Sequence, residues 1–198
     1  VLFRSGSGSF DNNTALTVVY TPSVADIANG NMTFTATTND PDGANPVCQA
    51  ALATISLPIN PLPTPTATSN GPLCNGETVV LNASGGTAYL WSGFGIDASN
   101  QNLQNPSVTN LTNTSTYFVT VTDNGCTSTT SVTVQVAAPV STSITGNTQI
   151  CQGDATTLTA TGAFVGYSWS TGDATASIVT SASGNYAVTV TDANGCTA

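Results

Sequence analysis

Thr116–Ser128 reads TYFVTVTDNGCTS, and a near copy, NYAVTVTDANGCTA, spans Asn185–Ala198. Each copy alternates Tyr or Val with smaller residues, the period of a strand with one buried face. Each then turns on Asp, Asn and Gly and arrives at a cysteine. Self-similarity of this kind marks an array of like modules, in which one structural plan is used more than once. The repeat therefore outranks any single motif in deciding the fold.

Working outward, the residues before the first copy divide into further short runs rich in β-branched and aromatic residues. Thr78–Ala83 (TVVLNA), Ala88–Ser92 (AYLWS), Ser107–Leu111, Thr116–Asp123 and Ser131–Val136 are the predicted strands, with Gly or Asn at nearly every junction. After Pro139 the plan recurs as ICQGD, TTLTATG, YSWSTGD, ASIVTS, YAVTVTD and NGC. Towards the N-terminus, Ala15–Tyr20 and Asn31–Thr38 are predicted strands joined by the turn-forming SVADIANG; NDPDGANP (Asn39–Pro46) is a loop, and Gln49–Ile59 is a last strand. That order, with Cys48 before the final strand, copies the back half of the later repeats. Pro58–Pro65 (PINPLPTP) reads as a short stiff linker. No stretch carries helical periodicity. Short strands at intervals of about 8 to 12 residues are the signature of an antiparallel sandwich.

The expected fold class is thus all-β: tandem Ig-like antiparallel β-sandwich modules, the first and last truncated. Residues 1–60 read as the C-terminal part of one module, 61–138 as a complete module, and 139–198 as a module lacking its last strand. Val1–Ser5, VLFRS, holds the only basic residue and does not match the Thr- and Asn-rich character of the rest of the chain. One reading frame for it, GTG-CTC-TTC-CGA-TCT, resembles the end of a common sequencing adapter, so residues 1–5 read as a sequencing artefact, the alternative being a disordered terminus.

Composition removes whole classes of function. Only 6% of the 198 residues are charged, so polarity comes from hydroxyls and amides. Ten acidic residues against one Arg, with no Lys and no His, leave a net charge of -9. Phosphate backbones and anionic membranes repel such a chain, and nucleic acid is excluded as a partner. Without His or Lys there is no Ser-His-Asp arrangement, no imidazole metal ligand and no Schiff base. No run of about 18 apolar residues is present, so no membrane insertion is expected of this segment. Five cysteines, none at C-x-x-C spacing, fit an oxidising extracellular setting better than a zinc or redox site. Their odd number implies a partner beyond these residues.

Cys74-Asn-Gly-Glu before TVVLNA, Trp91 in YLWS and Tyr117 through Gly125-Cys126 resemble the Ig-like and PKD-like repeats of Bacteroidota cell-surface proteins. These include gliding-motility-associated adhesins exported by type IX secretion. Cys151-Gln-Gly-Asp, Trp169 in YSWS and Tyr186 through Gly195-Cys196 carry the same likeness, and Tyr20–Gly43 resembles another repeat of those proteins. The resemblance implies a secreted, cell-surface address and a non-catalytic stalk or spacer with structural and adhesive roles. Partners would be neighbouring repeats of the same chain, surface glycans or other surface proteins. The alternative is an accessory carbohydrate-binding or spacer module of a secreted polysaccharide-degrading enzyme.

Trp91 and Trp169 fall where an Ig-like strand C buries an indole between sheets; the sharper reading is an exposed sugar-stacking platform. The cysteines depart from the Ig pattern, since the inter-sheet positions are near Ala83 and Val119, and neither is Cys. In that topology Cys74 and Cys126 lie toward opposite ends of the module, more than about 20 Å apart, whereas a disulfide needs Cα atoms within about 7 Å. Two schemes stay open: Cys74 with Cys196 as an interdomain staple, or Cys74 with Cys126 and Cys151 with Cys196. Among the acidic turns, Asp40, Asp42 and Asn45 are the best oxygen-ligand set for calcium, the one cofactor considered. Asp and Asn also serve the backbone bonding of turns themselves. Paired carboxylates could in principle cleave glycosides. These acids lie in short repeated turns, however, and no enzymatic activity is expected.

Overall fold

A computed structural model describes residues 2–40 and 49–198. The architecture is all-β and antiparallel, as an Ig-like sandwich requires, with one short helix. The chain divides into two compact units: residues 1–64 with 85–87 and 121–128, and residues 65–84, 88–120 and 129–198.

In the first unit the strands are β1 (Leu2–Arg4), β2 (Ser9–Phe10), β3 (Tyr20–Thr21), β4 (Asn31–Thr37) and β5 (Leu52–Pro58). β4 is the centre of the sheet β1-β4-β5, and β2 pairs with β3. Leu2–Arg4 of the VLFRS stretch is built into this sheet, with Leu2 opposite Thr37 and Arg4 opposite Thr35. The strand expected over Ala15–Tyr20 shrinks to Tyr20–Thr21, the residues that pair in antiparallel register with Phe10 and Ser9. Leu16 and Val19, inside the expected run, are exposed.

SVADIANG is a helix rather than a turn: α1 spans Val24–Asn29. The signal is local. Ser23 and Asp26 form a capping box, each side chain accepting from the other's backbone N–H, and Gly30 closes the helix at φ 69°, a left-handed conformation that suits glycine. A single helical turn and a half carries no periodicity, which is why the pattern alone hides it.

In the second unit, β6 (Thr66–Ser69), β7 (Glu77–Ser84) and β9 (Ser107–Leu111) form one sheet in the order β6-β7-β9. β8 (Ala88–Ser92), β10 (Ser115–Asp123) and β11 (Cys126–Val134) form another, in the order β11-β10-β8, with residues 121–128 at the β10–β11 turn counted to the first unit. Inward positions alternate along each strand: Val79, Leu81 and Ala83 on β7, and Tyr117 and Val119 on β10, are all buried. β11 starts at Cys126, five residues before the expected Ser131. Asn124 and Gly125, at φ 46° and 81°, make the two-residue turn whose twist matches a hairpin.

The remaining strands are β12 (Ile144–Thr145), β13 (Thr156–Ala160), β14 (Gly166–Trp169), β15 (Ser177–Thr180) and β16 (Val188–Thr191). They form the sheets β12-β13-β15 and β14-β16. Leu158, Ala160, Trp169, Ile178 and Val190 make one buried cluster between them.

Candidate functional site

Both indoles are core residues, Trp91 at 1% and Trp169 at 3% exposure, so neither is a sugar-stacking platform. Their polar edges differ. Trp169 Nε1 donates to the Thr175 carbonyl at 2.8 Å, whereas Trp91 Nε1 and the Tyr117 hydroxyl are buried without a partner among the described residues. Burial also pushes the Tyr117 phenol above its usual value.

Cys74 and Cys196 form a disulfide, their Cα atoms 5.6 Å apart across 122 residues of chain. Cys74 follows β6, and Cys196 follows the turn after β16, so the bond ties the 61–138 segment to the 139–198 segment. Cys126 and Cys151 are free thiols, so the scheme joining Cys74 to Cys126 and Cys151 to Cys196 is not the one formed. The local structure explains this. Cys126 sits at the tip of the β10–β11 hairpin, with its thiol 3.5 Å from the Asn60 carbonyl, while Cys74 is held at the entry to β7 by a Glu77 carboxylate that accepts from its N–H at 2.8 Å.

Cys196 is set in place by its turn. Asp192 accepts from the backbone N–H of Cys196 and of Asn194, both at 2.8 Å, and these bonds, Cys196 first, hold its carboxyl below the usual range. The Asp, Asn and Gly that recur beside the cysteine are therefore the frame that aims it.

Two other turn acids are engaged by their own loops. Asp97 accepts from the hydroxyl and backbone N–H of Ser99, which lower its pKa, and Asp173 accepts from the Thr171 hydroxyl at 2.7 Å. Of the calcium candidates, Asp42 and Asn45 lie outside the described residues, as does Cys48; Asp40 is exposed. Among the described residues no group of three His, Cys, Asp or Glu converges on one point. Carboxylates already accepting bonds from their own turns are less well placed to move protons or hold a hard cation.

Sequence reasoning overlooked the most densely bonded carboxylate. Asp26 is 4% exposed. It accepts from the backbone N–H groups of Ser7 and Ser23, each at 2.9 Å, and from the Tyr20 and Ser23 hydroxyls, also at 2.9 Å. The Ser7 and Ser23 amides lead in holding it well below the ordinary carboxylate range. A Cβ on Gly6 would fall 2.1 Å from its Oδ1, so only glycine lets that backbone approach. Asp26 joins the N-terminal strands to α1 and has no lone pair left for chemistry. The sequence signal that could have found it is S-x-x-D ahead of a glycine.

Among the described residues no helix is long and apolar enough to cross a membrane, and the disulfide fits a non-reducing environment. No protein-family model matches the chain, and no curated protein matches it.

Proposed function

We propose that this chain is a non-catalytic structural and adhesive segment, a stalk or spacer of a secreted bacterial cell-surface protein of the Bacteroidota type. The observation that carries this reading is the Cys74–Cys196 bond, which ties two consecutive segments of like plan to one another instead of closing each on itself. A covalent tie of that kind limits bending and sliding between segments, a property useful to a load-bearing rod and irrelevant to a catalyst. The occupied turn carboxylates and the His-free, Lys-free composition support the same reading. Thr-rich outer faces, such as the hydroxyl pairs Thr116–Thr133 and Thr120–Thr129 on β10 and β11, supply neutral hydrogen-bonding surface for weak adhesion.

The test is small-angle scattering and single-molecule extension of the intact chain with and without reductant. A rod held by the bond lengthens or gains flexibility on reduction, and its force trace loses a protected stretch about as long as the loop between the two cysteines. Identical traces before and after reduction would remove the mechanical role.

A second reading, carbohydrate binding as an accessory module, draws on the aromatic group Phe3, Phe10, Tyr20 and Phe34 of the first unit, whose ring centroids lie 4.8 to 6.2 Å apart beside an apolar groove. A glycan array probed with the intact chain separates the two, since selective binding that a Phe10→Ala variant loses would put this reading first.

A further inference from the structure

Asparagine stands directly before glycine five times in the chain, at Asn29, Asn70, Asn75, Asn124 and Asn194. This dipeptide is prone to modify itself, because glycine has no Cβ to keep its own backbone nitrogen away from the preceding carboxamide. Asparagine is for this reason a thermolabile residue. Reaction requires the glycine nitrogen to be free of hydrogen bonds and the carboxamide to be free to swing onto it.

The fold opposes this at four of the sites. After Asn29, the Gly30 N–H caps α1 by donating to the Ile27 carbonyl at 3.2 Å. Asn70 is clamped against β7, its Oδ1 accepting from the Val80 N–H at 2.9 Å and its Nδ2 donating to the Thr78 carbonyl at 3.1 Å, while the Gly71 N–H faces Ser69 Oγ at 3.4 Å. Asn75 Nδ2 donates to the Thr112 carbonyl at 2.8 Å, and the Gly76 N–H to the Leu111 carbonyl at 2.9 Å. Asn194 Nδ2 donates to Asp192 Oδ2 at 3.2 Å, and the Gly195 N–H to the Asp192 carbonyl at 3.1 Å.

Asn124 differs. It and Gly125 are both exposed and form the β10–β11 turn by themselves. The bond that closes such a turn comes from the residue after it, which leaves the Gly125 N–H without a role. Among the described residues this N–H has no partner, and a Cβ on Gly125 would meet nothing within 4 Å. The carboxamide is tethered only by Nδ2 to Asp123 Oδ2 at 3.1 Å, an exposed contact.

We propose that Asn124 is a self-modification site, at which the chain converts its own asparagine to aspartate or isoaspartate. The Gly125 nitrogen attacks Asn124 Cγ and forms the N–Cγ bond. The Cγ–Nδ2 bond breaks, and Nδ2 leaves as ammonia, carrying the proton lost by the Gly125 nitrogen. Water then opens the cyclic imide at either carbonyl. One opening restores the original linkage as aspartate; the other leaves the main chain running through Cβ and Cγ as isoaspartate. Water is the only co-reactant. Both products place a new negative charge beside Asp123, and isoaspartate lengthens the backbone of a turn whose fit sets the hairpin register. The same turn holds the start of the Pro-rich stretch: the Asn124 carbonyl accepts from Asn60 Nδ2 at 2.7 Å, and the Cys126 thiol donates to the Asn60 carbonyl at 3.5 Å. Conversion loosens both contacts, so aged copies of the chain carry a freed Asn60 and a more accessible Cys126.

The test is incubation of the intact chain in mildly alkaline buffer, folded or in urea, followed by pepsin digestion and mass spectrometry that separates aspartate from isoaspartate. In the folded chain Asn124 should convert about tenfold or more faster than Asn29, Asn70, Asn75 or Asn194, the factor expected when one or two ordinary hydrogen bonds must first open at each of those. In urea that advantage should disappear, because the hydrogen bonds that separate the sites are gone. Cys126 should be alkylated faster in converted than in unconverted chains, with Cys151 as internal reference. Another of the five converting as fast as Asn124 in the folded chain, or an advantage that persists in urea, overturns the proposal. Equal alkylation of Cys126 in converted and unconverted chains overturns the release of the Asn60 contact.

Discussion

Replacing Cys74 or Cys196 by Ser removes a bond that closes 122 residues of chain. In the chain-entropy description a loop of that length restricts the unfolded ensemble by about 5 kcal/mol at 25 °C. The logarithm makes this figure robust: if the 61–138 and 139–198 segments unfold separately, each sensing roughly half the loop, the loss is still about 4 kcal/mol. For a protein of this size, at roughly 2 to 4 °C per kcal/mol, the melting temperature should fall by about 10 to 20 °C. Cys74→Ser, Cys196→Ser and the double variant should be equal, because each removes the same bond, and reductant should bring the unaltered chain to the same value. Cys126→Ser and Cys151→Ser should stay within about 0.5 kcal/mol, the range of surface changes that break nothing. The assay is thermal and urea unfolding followed by circular dichroism, joined to a pepsin peptide map without reduction, where acid suppresses thiol exchange. Pepsin suits a chain with a single Arg and no Lys, on which trypsin has almost nothing to cut. A peptide linking Cys74 to Cys126, or a Cys126→Ser variant as unstable as Cys74→Ser, would refute the reasoning.

Trp169→Phe should be more destabilising than Trp91→Phe by about 1 kcal/mol or more in urea unfolding, since the former loses the bond to Thr175 and the latter removes a buried donor that has no partner among the described residues. Asp26, with its pKa lowered by the Ser7 and Ser23 amides, stabilises the fold above the unfolded carboxyl value of about 3.9, and that contribution is lost as pH falls through its lower folded value. Asp26 should therefore remain ionised at pH 4 in a carboxyl NMR titration, and Asp26→Asn should flatten the acid limb of the stability curve; titration of Asp26 at the ordinary value would remove this account.

Much of the strand pattern was legible. Ala88–Ser92 and Ser107–Leu111 are strands over the residues the sequence indicated, because alternating runs bounded by Gly, Asn and Pro encode both their faces and their ends. Reading failed where a partner rather than a pattern makes the element. Ala15–Val19 has strand composition but, among the described residues, no strand paired with it, whereas α1 is made by two caps over six residues, too few to show a period. β11 was shortened because Cys126–Thr130 looks like turn chemistry until Asn124 and Gly125 are seen to complete the turn alone.

The recurring TYFVTVTDNGC stretch shows where the division lies. Its alternation, its turn and the presence of a cysteine after that turn were determined by the sequence alone, because each depends on residues within a few positions of one another. Which cysteine it joins was open, and only the tertiary structure decided it: Cys196 lies 5.6 Å from Cys74 across 122 residues, while Cys126, after a similar turn, remains a free thiol near Asn60. The same holds for Tyr117, fully buried, and Tyr186, half-buried. Similar local sequence meets different neighbours, and pairing, burial and disulfide choice are properties of neighbours brought together by packing.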